Sequence, residues 1–180
     1  MPPLIAPTQL GAFPRDDNAV PITNLGLLAS DTQSLTTTGT VHVPIFTIAG
    51  TIQVNALYGV VTSDLGNCTA TYWRFNDQTT QSNITVNTGT SLTNAKAGST
   101  IVKKDLASAA LTLLSASQER VSEPTTLETM YFSPFFLQAK PGALSQIEFT
   151  YTTSDDPTTG TIQFFLGWVP LSSGASVTPV

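Results

Sequence analysis

The sequence predicts an all-β protein, a β-sandwich or jelly roll of about seven to nine antiparallel strands with an extended N-terminal arm. Charged residues make up only 11% of the 180 residues, less than half of the usual share of about 25%. Threonine is the commonest residue and the helix formers Glu, Lys and Arg are scarce, which favours strands over helices. Twelve prolines and twelve glycines divide the chain into short segments.

Residues 1–33 differ from the rest because prolines recur among apolar side chains. Proline is poorly tolerated in helices and central strands, so the segment is predicted to be an extended arm. Its apolar side chains would grip either its own domain or a neighbouring subunit. The β-sandwich domain is predicted to span residues 34–180. The arm's candidate contact residues are Leu4, Ile5, Leu10 and Phe13.

The first strand of the predicted sandwich has a break in its pattern. Val41 and Val43 alternate with His42, and the apolar phase shifts after Pro44 to Phe46. A shift of this kind next to a proline indicates an edge strand or a β-bulge.

Further strands are predicted from period-two alternation. Asp105 to Ser117 fits either a helix or a strand, and a strand is favoured. The other predicted strands contain Ile52, Val54, Ala56 and Tyr58 on one face, then Cys68 to Phe75, and then Ile84 to Val86.

The end of the chain is predicted to form a hairpin. Ile147, Phe149 and Tyr151 alternate with polar residues, and residues 155–160 carry the Asp, Pro and Gly typical of a turn. The return strand is predicted to place Ile162, Phe164, Leu166 and Trp168 on one face. Phe165 and Val169 would lie on the other face, where a neighbouring subunit could cover them.

Residues suited to catalysis are few. His42 is the only histidine and Cys68 the only cysteine, so a catalytic triad or a zinc site built on several histidines has too few ligands. Cys68 is predicted to be a small buried residue. The pairs Asp16-Asp17 and Asp155-Asp156 lie beside prolines, as in turns, and no 12-residue calcium loop is present. We therefore expect no enzyme activity, no cofactor and no metal site.

Charge and hydropathy exclude two classes of partner. The net charge of −5 comes without the basic face that phosphate contacts need, so nucleic acid binding is not expected. No apolar stretch approaches the roughly 20 residues of a membrane span, and the N-terminus does not resemble a signal peptide. The sequence predicts neither membrane insertion nor export.

The remaining candidates for function are surface aromatic residues, because protein interfaces are anchored by buried aromatic side chains. Tyr58 and Phe136 are possible anchors besides four main candidates. The alternative for each of these residues is a place in the sandwich core. The four main candidates are Trp73, Phe135, Phe165 and Trp168.

Three segments together resemble a family of small virion proteins encoded among the head genes of tailed bacteriophages. They are residues 44–62 (PIFTIAGTIQVNALYGVVT), 104–113 (KDLASAALTL) and 159–177 (TGTIQFFLGWVPLSSGASV). The likeness covers roughly residues 40–180 in one order. It implies a component of the virus particle. The first interpretation is a head decoration, or cement, protein that binds the major capsid protein as a homotrimer. Such a protein is made in the host cytoplasm and ends on the capsid surface.

A second interpretation is a receptor- or glycan-binding module of a phage tail fibre or spike. It requires exposed aromatic residues with polar neighbours at one end of the sandwich. The candidates are Tyr72, Trp73 and Asn76.

Overall fold

The chain is all-β, with two antiparallel sheets. A computed structural model describes residues 26–86, 90–103, 112–113, 134–153 and 160–180, and no helix occurs among them. The strands of this part are β1 (Leu27–Ser34), β2 (Gly39–Ala49), β3 (Thr51–Ser63), β4 (Thr69–Asn76), β5 (Gln81–Asn83), β6 (Thr100–Val102), β7 (Thr112–Leu113), β8 (Phe135–Gln138), β9 (Ser145–Thr153), β10 (Thr161–Pro170) and β11 (Ser176–Pro179).

The strands divide into a six-stranded and a five-stranded sheet. The six-stranded sheet has the order β1-β10-β3-β6-β7, and β8 pairs with the other end of β3 from β6. The five-stranded sheet has the order β11-β2-β9-β4-β5. β10 and β3 are central in the first sheet, and β9 is central in the second. The inward-facing side chains of these central strands therefore have a neighbouring strand on each side within their own sheet.

The core lies between the two sheets and is centred on aromatic rings. Phe149 on β9 has its ring centroid 5.0 Å from that of Phe164 on β10, so this contact joins the sheets. Within the five-stranded sheet, the ring centroid of Trp73 on β4 lies 6.1 Å from that of Phe149. All three side chains are fully buried. Burial of large aromatic side chains supplies much of the free energy that favours folding.

The predicted final hairpin is wrong, because its two strands lie in different sheets. β9 pairs with β2 and β4, whereas β10 pairs with β1 and β3. The alternation itself is confirmed: Ile147 and Phe149 face the core from one sheet, and Ile162 and Phe164 face it from the other. Two consecutive strands with matching apolar faces can pair side by side or pack face to face, and here they pack. The predicted turn at 155–160 lies almost wholly outside the described residues.

A bulge in β3 changes the prediction for this strand. The register with β10 shifts so that Gly167 pairs with Ala56 and Trp168 with Val54, which leaves Asn55 as the extra residue. A bulge of one residue reverses the face of everything beyond it. Ala56 and Tyr58 consequently face outward, opposite to Val54, and not inward with it as predicted.

The predicted irregularity near Pro44 is confirmed. The register between β2 and β9 shifts between Pro44 and Phe46, so that Ile45 is the extra residue and both Ile45 and Phe46 are buried. Only residues 46–49 of β2 pair with β11. Residues 39–45 therefore form an edge of the five-stranded sheet as far as the chain is described.

Two predicted boundaries also change. Leu27–Ser34 forms β1, paired with β10 along its whole length, so residues 27–33 belong to the sheet and not to the predicted arm. The short strand predicted at Ile84 to Val86 lies instead at Gln81–Asn83. The N–H groups of Ile84 and Thr85 both donate to the Trp73 carbonyl, which ends the strand. Of the predicted strand in Asp105 to Ser117, only β7 lies within the described residues.

Gly59 offers a test of the packing on the inner face of the six-stranded sheet. A methyl group at this position would lie 2.9 Å from Ile162 Cγ2, 3.0 Å from Ile101 Cγ1 and 3.1 Å from Phe164 Cδ1. Overpacking of this kind costs about 1–3 kcal/mol, so Gly59→Ala should lower the melting temperature. The outward-facing neighbour Val60→Ala is the control and should change it less. A Gly59→Ala melting temperature at or above the wild-type value would contradict the packing.

Candidate interaction surfaces

The outer face of the six-stranded sheet carries an apolar strip, which we call the apolar face. The register places Tyr58 on β3 opposite Phe165 on β10, and their rings stack with centroids 4.8 Å apart at 13°. Val60, Val102 and Val169 face the same side, as the register with β10 and β6 requires. Cross-strand aromatic pairs stabilise a sheet, and this one stays half-buried at the surface.

The apolar face has no charged side chain among the residues that the structure describes. Burial raises the pKa of Tyr58 above its usual value, so its hydroxyl is neutral at physiological pH. Electrostatic attraction therefore contributes little to any contact made here. The outward-facing strand residues are Leu28, Ser30, Thr32, Ser34, Thr51, Gln53, Ala56, Tyr58, Val60, Thr62, Ser63, Thr100, Val102, Phe136, Gln138, Thr161, Gln163, Phe165, Gly167 and Val169.

β8 extends the apolar face at one corner. Phe136 pairs with Gln53 and is 67% exposed, the largest value among the exposed large apolar residues. Its neighbour Phe135 points the other way and is half-buried. The ammonium group of Lys103, itself buried, lies 5.1 Å from the centre of the Phe135 ring, an attractive cation–π geometry.

The outer face of the five-stranded sheet is polar instead. Arg74 on β4 forms an ion pair with Glu148 on β9, through Nε and Oε2, and both side chains are nearly buried. Gln81 Oε1 accepts a hydrogen bond from Arg74 Nη1 at 2.8 Å, and Asn76 donates to Glu148 Oε1 at 2.8 Å. These extra hydrogen bonds satisfy charges that would otherwise be costly to bury.

His42 lies on the same polar face. Its Nδ1 is 2.9 Å from the hydroxyl of Thr150. The side chain is otherwise exposed, on the part of β2 that pairs with β9 but not with β11. Desolvation and the positive charge of Arg74 lower its pKa, while Glu148 acts in the opposite direction. With no carboxylate or thiol bonded to it in the described part, the arrangement is a hydrogen-bonded edge histidine, as expected from the sequence.

Two predicted interface residues are core residues. Trp73 is fully buried, and Trp168 is 7% exposed, because both point inward between the sheets. The proposed glycan cluster of Tyr72, Trp73 and Asn76 has no open ring either. Tyr72 faces the outer side of the five-stranded sheet with Thr150 but is only 8% exposed, so neither ring offers a face to a sugar.

Other sequence candidates have different outcomes. Phe165 lies on the apolar face, whereas Phe135 points inward and packs against the core. The arm residues Leu4, Ile5, Leu10 and Phe13 lie outside the described residues, as does the pair Asp155-Asp156. The sequence reasoning missed the ion pair of Arg74 and Glu148. Its only signal was the presence of charged residues at outward positions of otherwise apolar strands.

Cys68 is buried and unpaired. Burial raises the pKa of its thiol to about 12, so the reactive thiolate is scarce at neutral pH. No group of three or more potential metal ligands occurs in the described ranges, and none of their elements is a helix that could cross a bilayer.

No known protein family, curated protein or solved structure matches the chain. The resemblance of residues 40–180 to phage head proteins consequently stays a prediction.

The ion pair makes a prediction about stability. Arg74→Leu leaves Glu148 nearly buried without its partner, a change that costs about 3–5 kcal/mol in other buried pairs. The double variant Arg74→Leu/Glu148→Leu should recover most of this loss. Urea denaturation of the three variants, including Glu148→Leu alone, gives the coupling energy. A single variant as stable as the wild type would show that the pair is not buried as described.

His42 makes a prediction about pH. Its lowered pKa means that the unfolded chain binds the proton more tightly. Stability should therefore fall as the pH drops from 6.5 towards the folded-state pKa. Because the chain has one histidine, NMR titration of the ring resonances needs no assignment. The midpoint should lie below 6.5 in the native protein and near 6.5 in urea. A native midpoint at or above 6.5 would contradict the geometry.

Proposed function

We propose that the chain is a structural component of a tailed-phage particle, a decoration protein that binds the major capsid protein on the outside of the head. The apolar face is the observation that carries the proposal. A sandwich needs one apolar face per sheet to build its core, and a second one turned outward is a common sign of a protein contact. The resemblance of residues 40–180 supports the choice of a phage head.

The chemistry of the apolar face fits attachment to a protein shell. The stacked pair of Tyr58 and Phe165 supplies a rigid aromatic centre, and Phe136 supplies an exposed anchor at the corner. Aromatic residues at the centre of an interface contribute most of the binding free energy. Binding only to the assembled shell would stabilise it by mass action, since the dissociated subunits gain nothing.

The polar face supports the same orientation. The exposed part of this face is its edge, where the hydroxyls of Thr40 and Thr152 lie 3.0 Å apart, whereas Glu148 and Thr150 at its centre are buried within the chain. We place this face towards the solvent. The catalytic and glycan-binding alternatives have no specific observation in their favour, because Trp73 and Tyr72 are buried and His42 bonds only to Thr150 in the described part.

The experiment uses capsids lacking the chain and the purified full-length protein. The double variant Tyr58→Ser/Phe165→Ser removes the aromatic centre, and its dissociation constant should rise at least about tenfold, the effect of losing one interface anchor. Thr40→Ser on the polar face is the matched control and should bind like the wild type. Circular dichroism melting verifies that both variants fold. Tight binding by the double variant would reject the apolar face as the contact.

Two further conditions of the same assay separate other mechanisms. Raising the salt from 50 to 500 mM should leave binding nearly unchanged, because screening weakens only charged contacts. Deletion of residues 1–25 tests the arm while keeping β1. Unchanged affinity after this deletion assigns the contact to the sandwich, and its loss assigns the contact to the arm.

A further inference from the structure

Exposed sheet edges are sites of association, because their backbone N–H and C=O groups can pair with another strand. In the described part of the chain most edges are short or protected. β7, β5, β11 and β8 have two, three, four and four residues, and β11 contains Pro179. The part of β2 that pairs with β9 but not with β11 contains Pro44 and ends at a bulge. Each of these features opposes the addition of a strand.

β1 is the exception. It has eight residues and keeps one unbroken register with β10, without a bulge. It contains no lysine, arginine or proline. No described strand lies on its other side, and Leu27 and Leu28 are 44% and 51% exposed. This edge has the length and regularity that strand pairing needs.

The backbone of β1 shows which residues would pair. The N–H of Leu35 donates to the Gly160 carbonyl at 3.0 Å, one step beyond the last β1–β10 pair. Hydrogen-bonded and non-hydrogen-bonded pairs alternate in antiparallel ladders. The odd-numbered residues therefore bond to β10, and the even-numbered residues direct their N–H and C=O groups to the free edge. These are Leu28, Ser30, Thr32 and Ser34.

We propose that a second copy of the chain pairs antiparallel along β1, so that two six-stranded sheets become one continuous sheet across a two-fold axis. Self-pairing places each strand against itself, which requires that no charge meets its own copy. The even-numbered side chains of β1 are uncharged and face outward. The one charge, Asp31, accepts a hydrogen bond from Gln33 Nε2 at 2.5 Å. The strand can therefore pair with its own copy without bringing like charges together.

The length and the charge of β1 together select the register. Paired residues point to the same face of the sheet, so the two-fold axis passes through one residue. Axes at Ser30 and Asp31, the two central residues of β1, pair the largest part of the strand. An axis at Asp31 would bring two carboxylates directly opposite each other, which destabilises a strand pair. An axis at Ser30 places Asp31 opposite Ala29 and Leu28 opposite Thr32. This register leaves no like charges in contact and forms roughly six backbone hydrogen bonds.

The pairing closes after two copies, as an isologous contact does. The proposed dimer differs from the homotrimer expected for a decoration protein. It also joins the apolar faces of the two copies into one uncharged surface. The inference does not rest on the proposed function, since it concerns the purified chain alone.

Cysteine substitution tests both the contact and its register. Ser30→Cys places two thiols opposite each other across the axis, where the Cα atoms of a hydrogen-bonded pair are about 5.5 Å apart, within disulfide range. Thr32→Cys is the control, because its partner is Leu28 and its own copy lies about 13 Å away along the strand. The native Cys68 is buried and contributes no background.

With oxidised glutathione as oxidant, non-reducing gels should show covalent dimers of Ser30→Cys forming at least tenfold faster than those of Thr32→Cys. Equal rates for the two variants, or no dimer of either, would overturn the proposal.

Sedimentation gives an independent readout. The wild type should sediment as a concentration-dependent dimer. Ser30→Pro removes the central N–H donor without touching the bonds to β10 and should raise the dissociation constant at least tenfold. Ser30→Thr keeps the donor and should behave like the wild type. A monomer or a trimer at all concentrations would contradict the pairing, and so would a dimer that Ser30→Pro leaves intact. If Ser30→Pro fails to fold, the disulfide rates alone decide.

Discussion

The contact between Phe149 and Phe164 is the interaction on which the rest of the structure depends. The two rings belong to consecutive strands, β9 and β10, that lie in different sheets. These strands face each other across the core. Every other described strand except β7 pairs with one of them or with one of their neighbours, and β7 pairs with β6. The core needs apolar side chains only on the inner faces of the two sheets, so the outer faces can differ in polarity.

The difference between the outer faces is chemical. One is uncharged among the described residues and carries the apolar strip around Tyr58 and Phe165. The other holds a nearly buried ion pair that is hydrogen-bonded to Gln81 and Asn76. The bulge at Asn55 contributes directly to this difference, because it turns Tyr58 outward to stack on Phe165. A strand without the bulge would keep Tyr58 on the inner side with Val54, and the aromatic centre of the apolar face would be missing.

Local alternation was sufficient to predict the fold class, the inward and outward sides of β10, the bulge at Pro44 and the buried Cys68. Each depends on neighbours within a few residues. The sequence could not show that β9 and β10 separate into two sheets, since the alternation looks the same for paired and packed strands. Nor could it show the bulge at Asn55 or the contact of Arg74 with Glu148, which depend on register between segments far apart in the chain. The sequence also could not separate core aromatic residues from surface ones, and Trp73 points inward whereas Phe165 points outward.

A cryo-EM reconstruction of purified particles tests the central claim most directly. The account predicts many copies of the chain on the outside of the head, with the strands of the six-stranded sheet nearest to the shell and the side chains of Tyr58 and Phe165 at the contact. Particles without the chain would contradict the assignment to a virion. Copies attached through the five-stranded sheet, with His42 and Thr150 against the shell, would contradict the role of the apolar face.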